Sequence, residues 1–481
     1  MSATNAPSPS VAVPARKTMF ITDDGRNVLF TFVLVSSLFL LWGFCNGLID
    51  VMDKHFQDEL GLTKAQSAWV QFAHYLGYFL MAIPAGWLAA KLGYKGGIIV
   101  GLLIVALGGL WFIPATRISE SVKTGAVSPG LAFVAFLAGV CLIATGLTFL
   151  ETIANPYTTV LGDRRYAATR INLAQSCNGV GWIFGPIVGS VYFYSTDAAG
   201  RSTGSETLYI PYAAIAGGVL VLAIIFYFAD VPDIRAEDDY HVDDATPGIS
   251  HSIWSHPHFV LAVAAQFLYV AAQAGIFSFF INYMTAEVPP IPRAWNSAMT
   301  GLAANAGVLR DWLSGWFETS ASGTLAISDK GASNLASLGF ICFLIGRFTG
   351  ALLLKKYSAH KVLGLYGVLN VAACLLVFLK LGWLSVACVF LSYFFMSIMF
   401  PTIFALGIFG LGAKAKRASA YIVMAIVGGA ILPKLMGYVA DQYDMSRGFI
   451  VPMFCFAFVA FYGLNWPKFS KAESLHSVRP H

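Results

Sequence analysis

Long apolar runs separated by short polar breaks dominate the chain, and the runs have the length of membrane-crossing helices. About 20 helical residues span a hydrocarbon core of ~30 Å. Twelve runs of that order can be marked: 29–52, 66–90, 96–115, 129–152, 171–195, 208–229, 257–284, 334–354, 361–379, 382–409, 418–440 and 449–465. Several contain Gly and Pro, which membrane helices tolerate because neighbouring helices re-satisfy the freed backbone groups. The pattern predicts an all-α membrane protein of twelve transmembrane helices.

The runs fall into two similar sets of six. GWLAAKLGYKGGIIVG, from Gly86, follows the second run, and GALLLKKYSAHKVLGLYG, from Gly350, follows the eighth. The fourth run closes on PYTTVLG and the tenth carries PTIFALG. Arg170 lies sixteen residues before Pro186 in the fifth, and Arg417 sixteen before Pro433 in the eleventh. Three matches in one order indicate a duplicated chain, with one six-helix bundle over 29–229 and a second over 257–466. Residues 230–256 form an acidic linker, and 467–481 a short tail. The Pro/Ser/Ala-rich residues 1–28 are expected to be disordered. An insertion at 285–333 separates the seventh and eighth runs. Its core, SAMTGLAANAGVLRDWLSGWF, reads as an ordered loop, with a short amphipathic helix on the membrane or over the mouth as the alternative.

Composition agrees with a membrane class: 57% of residues are hydrophobic and 11% charged, against about 25% charged in soluble domains. Twelve spans put both termini on one side. Eighteen basic residues fall on that side and ten on the other, so the termini are expected in the cytoplasm of a bacterial inner-membrane protein. The basic residues form no continuous patch, which argues against a nucleic-acid partner. All seven cysteines lie within or beside apolar runs without metal-ligand spacing and read as small buried hydrophobes. No Walker sequence, GxSxG, HExxH or paired metal ligand is present, so neither an enzyme nor a metal site is expected.

Polar residues inside the runs are costly in lipid and are therefore functional candidates. Glu151, in GLTFLETIANPYTTV, is far from either end of its run, with Asn155 four residues on. Asp50 closes FLLWGFCNGLID, where Trp42, Asn46 and Asp50 share a helical face. Its place near the end of the run leaves open an interfacial acid or an inward one. Asn172, Gln175 and Asn178 recur along the fifth run, and Gln266, Tyr269 and Gln273 along the seventh. Amides donate and accept at once, which suits hydroxyl groups, although the same side chains also bridge helices. His74 reads as a packing histidine or a proton-path member. Arg347 needs a carboxylate or carbonyls, and Lys434 either snorkels or pairs with an acid.

Two six-helix halves in parallel repeat are the architecture of major-facilitator transporters, with a substrate site at the interface of the halves. The stretches LWGFCNGLID, HYLGYFLMAIPAG, FLETIANPYTTVLG, RINLAQSCNGVG, AQFLYVAAQ, GRFTG and YIVMAIVGGAILPKLMG resemble the fucose/galactose/glucose–proton symporter family of that superfamily. The resemblance implies proton-coupled uptake of a hexose or deoxyhexose by alternating access, with no cofactor beyond the co-transported proton. It implies that Asp50 takes the proton, that Glu151 contacts sugar and helps proton transfer, and that Gln175 and Asn178 bind substrate. Trp42, Asn46, Asn155, Gln266, Tyr269 and Gln273 complete the expected sugar site. Lys91, Lys95, Lys355 and Lys361, in the two repeated links, and Arg347 are expected to move with gating. Gly47 and Ile49 stand where fucose-transporting members carry amides, so the sugar stays open. Further readings are a sodium-coupled or uncoupled carrier and a non-transporting sugar sensor; a monomer in the bilayer is expected.

Overall fold

A computed structural model of the chain describes residues 19–22, 25–162, 167–194, 204–231, 253–307, 310–319, 323–354, 356–409, 411 and 415–470. The first half comprises α1 (Leu29–Leu60), α2 (Lys64–Ser67), α3 (Trp69–Lys123), α4 (Pro129–Val160), α5 (Ala167–Tyr192), α6 (Gly204–Thr207) and α7 (Tyr209–Phe228). The second begins with α8 (Pro257–Ser278), α9 (Phe280–Ala286), α10 (Arg293–Ala304), α11 (Arg310–Leu313), β1 (Phe317–Thr319) and β2 (Leu325–Ile327). It continues with α12 (Asp329–Leu354), α13 (Ala359–Phe378), α14 (Trp383–Met396), α15 (Met399–Ile408), α16 (Ala415–Met424), α17 (Gly428–Gln442), α18 (Met445–Gly448) and α19 (Ile450–Ser470).

Among the described residues, ten helical segments are long and apolar enough to cross a membrane. Two further predicted spans are helical but fall outside that set: α5 and the part of α3 before Gly93. Both mix amide, hydroxyl or imidazole side chains with apolar ones, which lowers their hydropathy. The second and third runs form one element bent at Gly93, whose φ of 71° and ψ of 178° lie where a Cβ is unfavourable.

The halves meet along α1–α8, α3–α17 and α5–α12. The last two pairs exchange under the internal repeat, second run with eleventh and eighth with fifth, so the duplication is expressed as a two-fold arrangement about the interface.

Inside the first half, α1 and α5 approach closely through four glycines. Gly43 and Gly47 of α1 face Gly181 and Gly185 of α5. A Cβ on Gly47 would stand 2.8 Å from the Trp182 carbonyl oxygen, inside contact distance. This small-xxx-small pairing on both helices is how membrane helices gain packing without a hydrophobic driving force.

At the end where α1 finishes, here called the outer end, polar contacts join the halves. Asn282 Nδ2 donates to Gln57 Oε1 at 2.5 Å. The Asp441 carboxylate accepts the backbone N–H groups of Lys64 and Ala65 at 3.1 and 2.9 Å. Ser333 and Ser337 hydroxyls donate to the carbonyls of Pro186 and Ile183, each at 2.8 Å. The outer end is closed.

Several expectations are corrected. The first run does not stop at 52: α1 continues to Leu60 and leaves Asp53 wholly buried rather than at a surface. The seventh, tenth and eleventh runs are interrupted, by Phe279, by Ser397–Ile398 and by a 3-10 turn at Ala425–Val427. The insertion is not a plain loop. It carries the amphipathic α10 and a β1–β2 hairpin, with Ile291 N–H tied to the Leu325 carbonyl at 2.8 Å. Part of the tail read as disordered is folded: Ile21 bridges Asn27, and Phe20 packs on Phe32 with ring centroids 5.0 Å apart. Buried Arg170 fastens it, donating to the Met19 carbonyl at 3.1 Å and the Thr158 carbonyl at 3.0 Å. Most of the linker, residues 232–252, lies outside the described residues.

Two measurements check this packing. Gly47→Val should destabilise the protein by about 1–3 kcal/mol through overpacking, read as a lower thermal midpoint in detergent. Asp441→Ala should open the outer end. Losing about 1 kcal/mol of closure corresponds to about a fivefold gain in open population, read as faster labelling of Asn282→Cys by an impermeant thiol reagent.

Candidate functional site

The polar residues of α1 face the interface between the halves because one helical turn separates each from the next. Trp42 Nε1 donates to the Tyr78 hydroxyl at 2.6 Å, which fixes the indole against α3. Asn46 is buried with Oδ1 unpartnered. Asp50, 5% exposed, accepts one hydrogen bond on Oδ1 from Gln71 Nε2 at 3.2 Å, and its Oδ2 has no partner. Buried polar atoms are nearly always paired, so an unpaired carboxylate oxygen here marks a place for a proton or a ligand hydroxyl.

Gln71 was not among the residues singled out from the sequence. The signal was present: Gln71, His74, Tyr75 and Tyr78 repeat at i, i+3, i+4 and i+7, one polar stripe on an otherwise apolar helix. His74 is buried with its ring 5.0 Å from both Tyr75 and Tyr78, and its Nδ1 is unpartnered.

Three predicted residues on α4 and α5 come together. Asn155 Nδ2 donates to the Glu151 carbonyl at 3.1 Å, and Gln175 Nε2 donates to Asn155 Oδ1 at 3.1 Å. The Glu151 side chain is half-buried beside them. Asn178 points part of its amide elsewhere, donating to the Phe39 carbonyl at 3.3 Å within the α1–α5 seam. Nothing is described of the Asn172 side chain.

From the second half, α8 supplies Gln266, fully buried with both amide atoms unpartnered, and half-buried Gln273. Tyr269 is turned toward its own half, donating to the Met396 carbonyl at 3.0 Å. Arg347 crosses the interface: Nη1 donates to the Gln175 carbonyl at 3.3 Å, while its guanidinium lies 5.0 Å from the Phe343 ring. It therefore uses a carbonyl of the other half, not an acid.

The remaining candidates lie away from this centre. Exposed Lys434 holds its ammonium 3.9 Å from the Trp69 ring centroid, a cation–π contact between the halves. Lys91 sits over Trp87 at 3.8 Å, and Lys95 donates to the Ala229 carbonyl at 2.8 Å. Lys361 is exposed, and Lys355 lies outside the described residues. Amides, phenols and two carboxyls thus gather where the two bundles meet, groups able to donate to and accept from hydroxyls.

Comparison with known proteins agrees with this architecture. A model of the Major Facilitator Superfamily matches residues 29–319. The L-fucose-proton symporter of Escherichia coli (strain K12) is 34% identical over 91% of this chain and 93% of its own. The glucose/galactose transporter of Brucella abortus biovar 1 (strain 9-941) is 31% identical, over 93% of this chain and 96% of its own. Among solved structures, the transporter FucP in the outward conformation superposes with a TM-score of 0.62 at 32% identity, over 92% of this chain and 99% of that one. A D-xylose-proton symporter, at 12% identity and a TM-score of 0.63, shares the fold. With a family model covering more than half its length and relatives above 30% identity matched almost end to end, this chain belongs to the Major Facilitator Superfamily.

Proposed function

We propose that the chain is a secondary active transporter of the bacterial inner membrane that carries a hexose or deoxyhexose inward together with a proton. The observation that carries this reading is Asp50, sealed at the interface of the halves with one amide donor and one free oxygen. A carboxylate closed off from water without a cation is strongly disfavoured. Closure over Asp50 therefore favours its neutral form, and binding a proton from outside permits the halves to close. Sugar hydroxyls would engage the Asn46, Gln266 and Gln273 amides and the Glu151–Asn155–Gln175 group, with Trp42 offering its face to the C–H surface of a ring. The sugar class is supported by the relatives named above, one a fucose and one a glucose/galactose transporter.

Alternating access follows from the fold. The outer end is closed by Gln57–Asn282 and by Asp441 on the Lys64–Ala65 backbone, so opening outward requires breaking those contacts while the other end closes. Twelve spans with both termini in the cytoplasm fit the distribution of basic residues. The protein would work as a monomer, since both halves of the site lie in one chain.

Uptake into liposomes under an imposed pH gradient tests the coupling. A gradient of about one unit is worth about 1.36 kcal/mol per proton and supports about a tenfold sugar ratio. Asp50→Asn should reduce that ratio to equality; full accumulation in this variant, or accumulation that follows sodium and ignores pH, would overturn the reading. Glu151→Gln should weaken sugar binding by about two- to tenfold, the loss expected for one hydrogen bond, measured by titration of L-fucose, D-glucose and D-galactose.

A further inference from the structure

One turn beyond Asp50 lies a second carboxyl that the proposed cycle does not use. Asp53 is 0% exposed, and neither of its carboxyl oxygens has a hydrogen-bond partner. It stands beside Asp50, beside Gln71 of α3, and beside Ser278 at the end of α8. The Ser278 hydroxyl is itself fully buried and unpartnered, so the second half contributes an unused donor to the first half's acid.

The surrounding charges offer Asp53 no compensation. Lys54, its neighbour in the chain, is engaged at the rim with Asp58 at 2.5 Å and Asp329 at 3.7 Å. Tyr194, at the end of α5, lies nearby but donates to the Val51 carbonyl at 2.6 Å. His55 is turned to the Phe193 carbonyl, 3.0 Å from its Nδ1. Two buried carboxyls one turn apart, with no cation beside them among the described residues, strongly disfavour both being ionised together.

We infer that Asp53 is a second coupling acid, forming with Asp50 a pair that keeps one proton throughout the cycle and takes up a second when the halves close. In the outward-open state one carboxyl of the pair carries the resident proton as O–H and the other is ionised, leaving one negative charge on the pair. External hydronium then delivers the transported proton to that carboxylate: its O–H bond breaks to leave water, an O–H bond forms on the carboxyl, and the neutral pair can be enclosed. When the inner end opens, the same O–H bond breaks and the proton passes to cytoplasmic water. Asp53 is nearer the outer end than Asp50, so it is the member first wetted from outside.

This inference rests on the proton-coupled reading above, and the experiment separates the two. Wild-type protein in liposomes is assayed for exchange of L-fucose, D-glucose or D-galactose, whichever it accumulates, as external pH is varied. A coupled pair titrates in two macroscopic steps separated by more than about one pH unit. Asp53→Asn should leave one step, and Asp53→Glu should retain two with altered midpoints. If wild-type accumulation ignores the pH gradient, the coupling reading fails and this inference with it. If coupling holds but Asp53→Asn keeps the wild-type pH profile, only the pair is overturned. Infrared spectra of the purified proteins give an independent reading that needs no transport. Wild type should show a protonated-carboxyl band persisting at alkaline pH that Asp53→Asn lacks, and an unchanged band would overturn the pair.

Discussion

The structure depends on a carboxyl being enclosed between two halves that must also part. Asp50 sits where the bundles meet, 5% exposed, with a single amide donor. In water its charge would be solvated; in the closed seam that solvation is gone and only Gln71 replaces any of it. Under the proposed function, the energetic conflict between ionisation and closure would link a proton to a conformation without any moving part at the acid itself.

The rest of the architecture serves that meeting surface. The duplicated chain places α3 against α17 and α5 against α12, so each half presents matching helices to its partner. The second half contributes interrupted elements there: the break at Phe279, the one at Ser397–Ile398 and the 3-10 turn at Ala425–Val427. Such breaks are tolerated at membrane depth only where protein or a polar cavity surrounds them, and the first and last of these adjoin the interface. Polar groups on α12 then reach across it, as Ser333, Ser337 and Arg347 do onto carbonyls of α5.

Much of this was legible in the sequence, because hydrophobic run length and the internal repeat are one-dimensional signals. The helical face of Trp42, Asn46 and Asp50 was readable for the same reason, as was the Glu151–Asn155 spacing. What escaped was three-dimensional. Asp53 followed by Lys54 looks like the end of a span, and only the continuation of α1 to Leu60 shows the acid to be enclosed. Gln71 gains its meaning only once α1 is placed against it. Gly47, which in the sequence is only a departure from an amide-rich pattern, proves to be where α5 touches α1. Arg347 was expected to need a carboxylate or carbonyls and takes a carbonyl, but which one, like the carbonyl that holds Tyr269, could not be read because backbone acceptors leave no trace in side-chain spacing.

The four-glycine contact between α1 and α5 has a mechanical consequence. With backbones this close, neither helix can slide or turn against the other without collision, so the acid-bearing helix and its neighbour behave as one beam. The second half, with three of its runs broken, has the joints. The second half has a like contact, where Gly364 and Gly367 of α13 face Gly463 and Ala460 of α19, so each half carries one tightly joined pair. In the first half that pair includes the helix bearing Asp50 and Asp53, so the two acids keep their register to each other whatever the broken runs opposite them do.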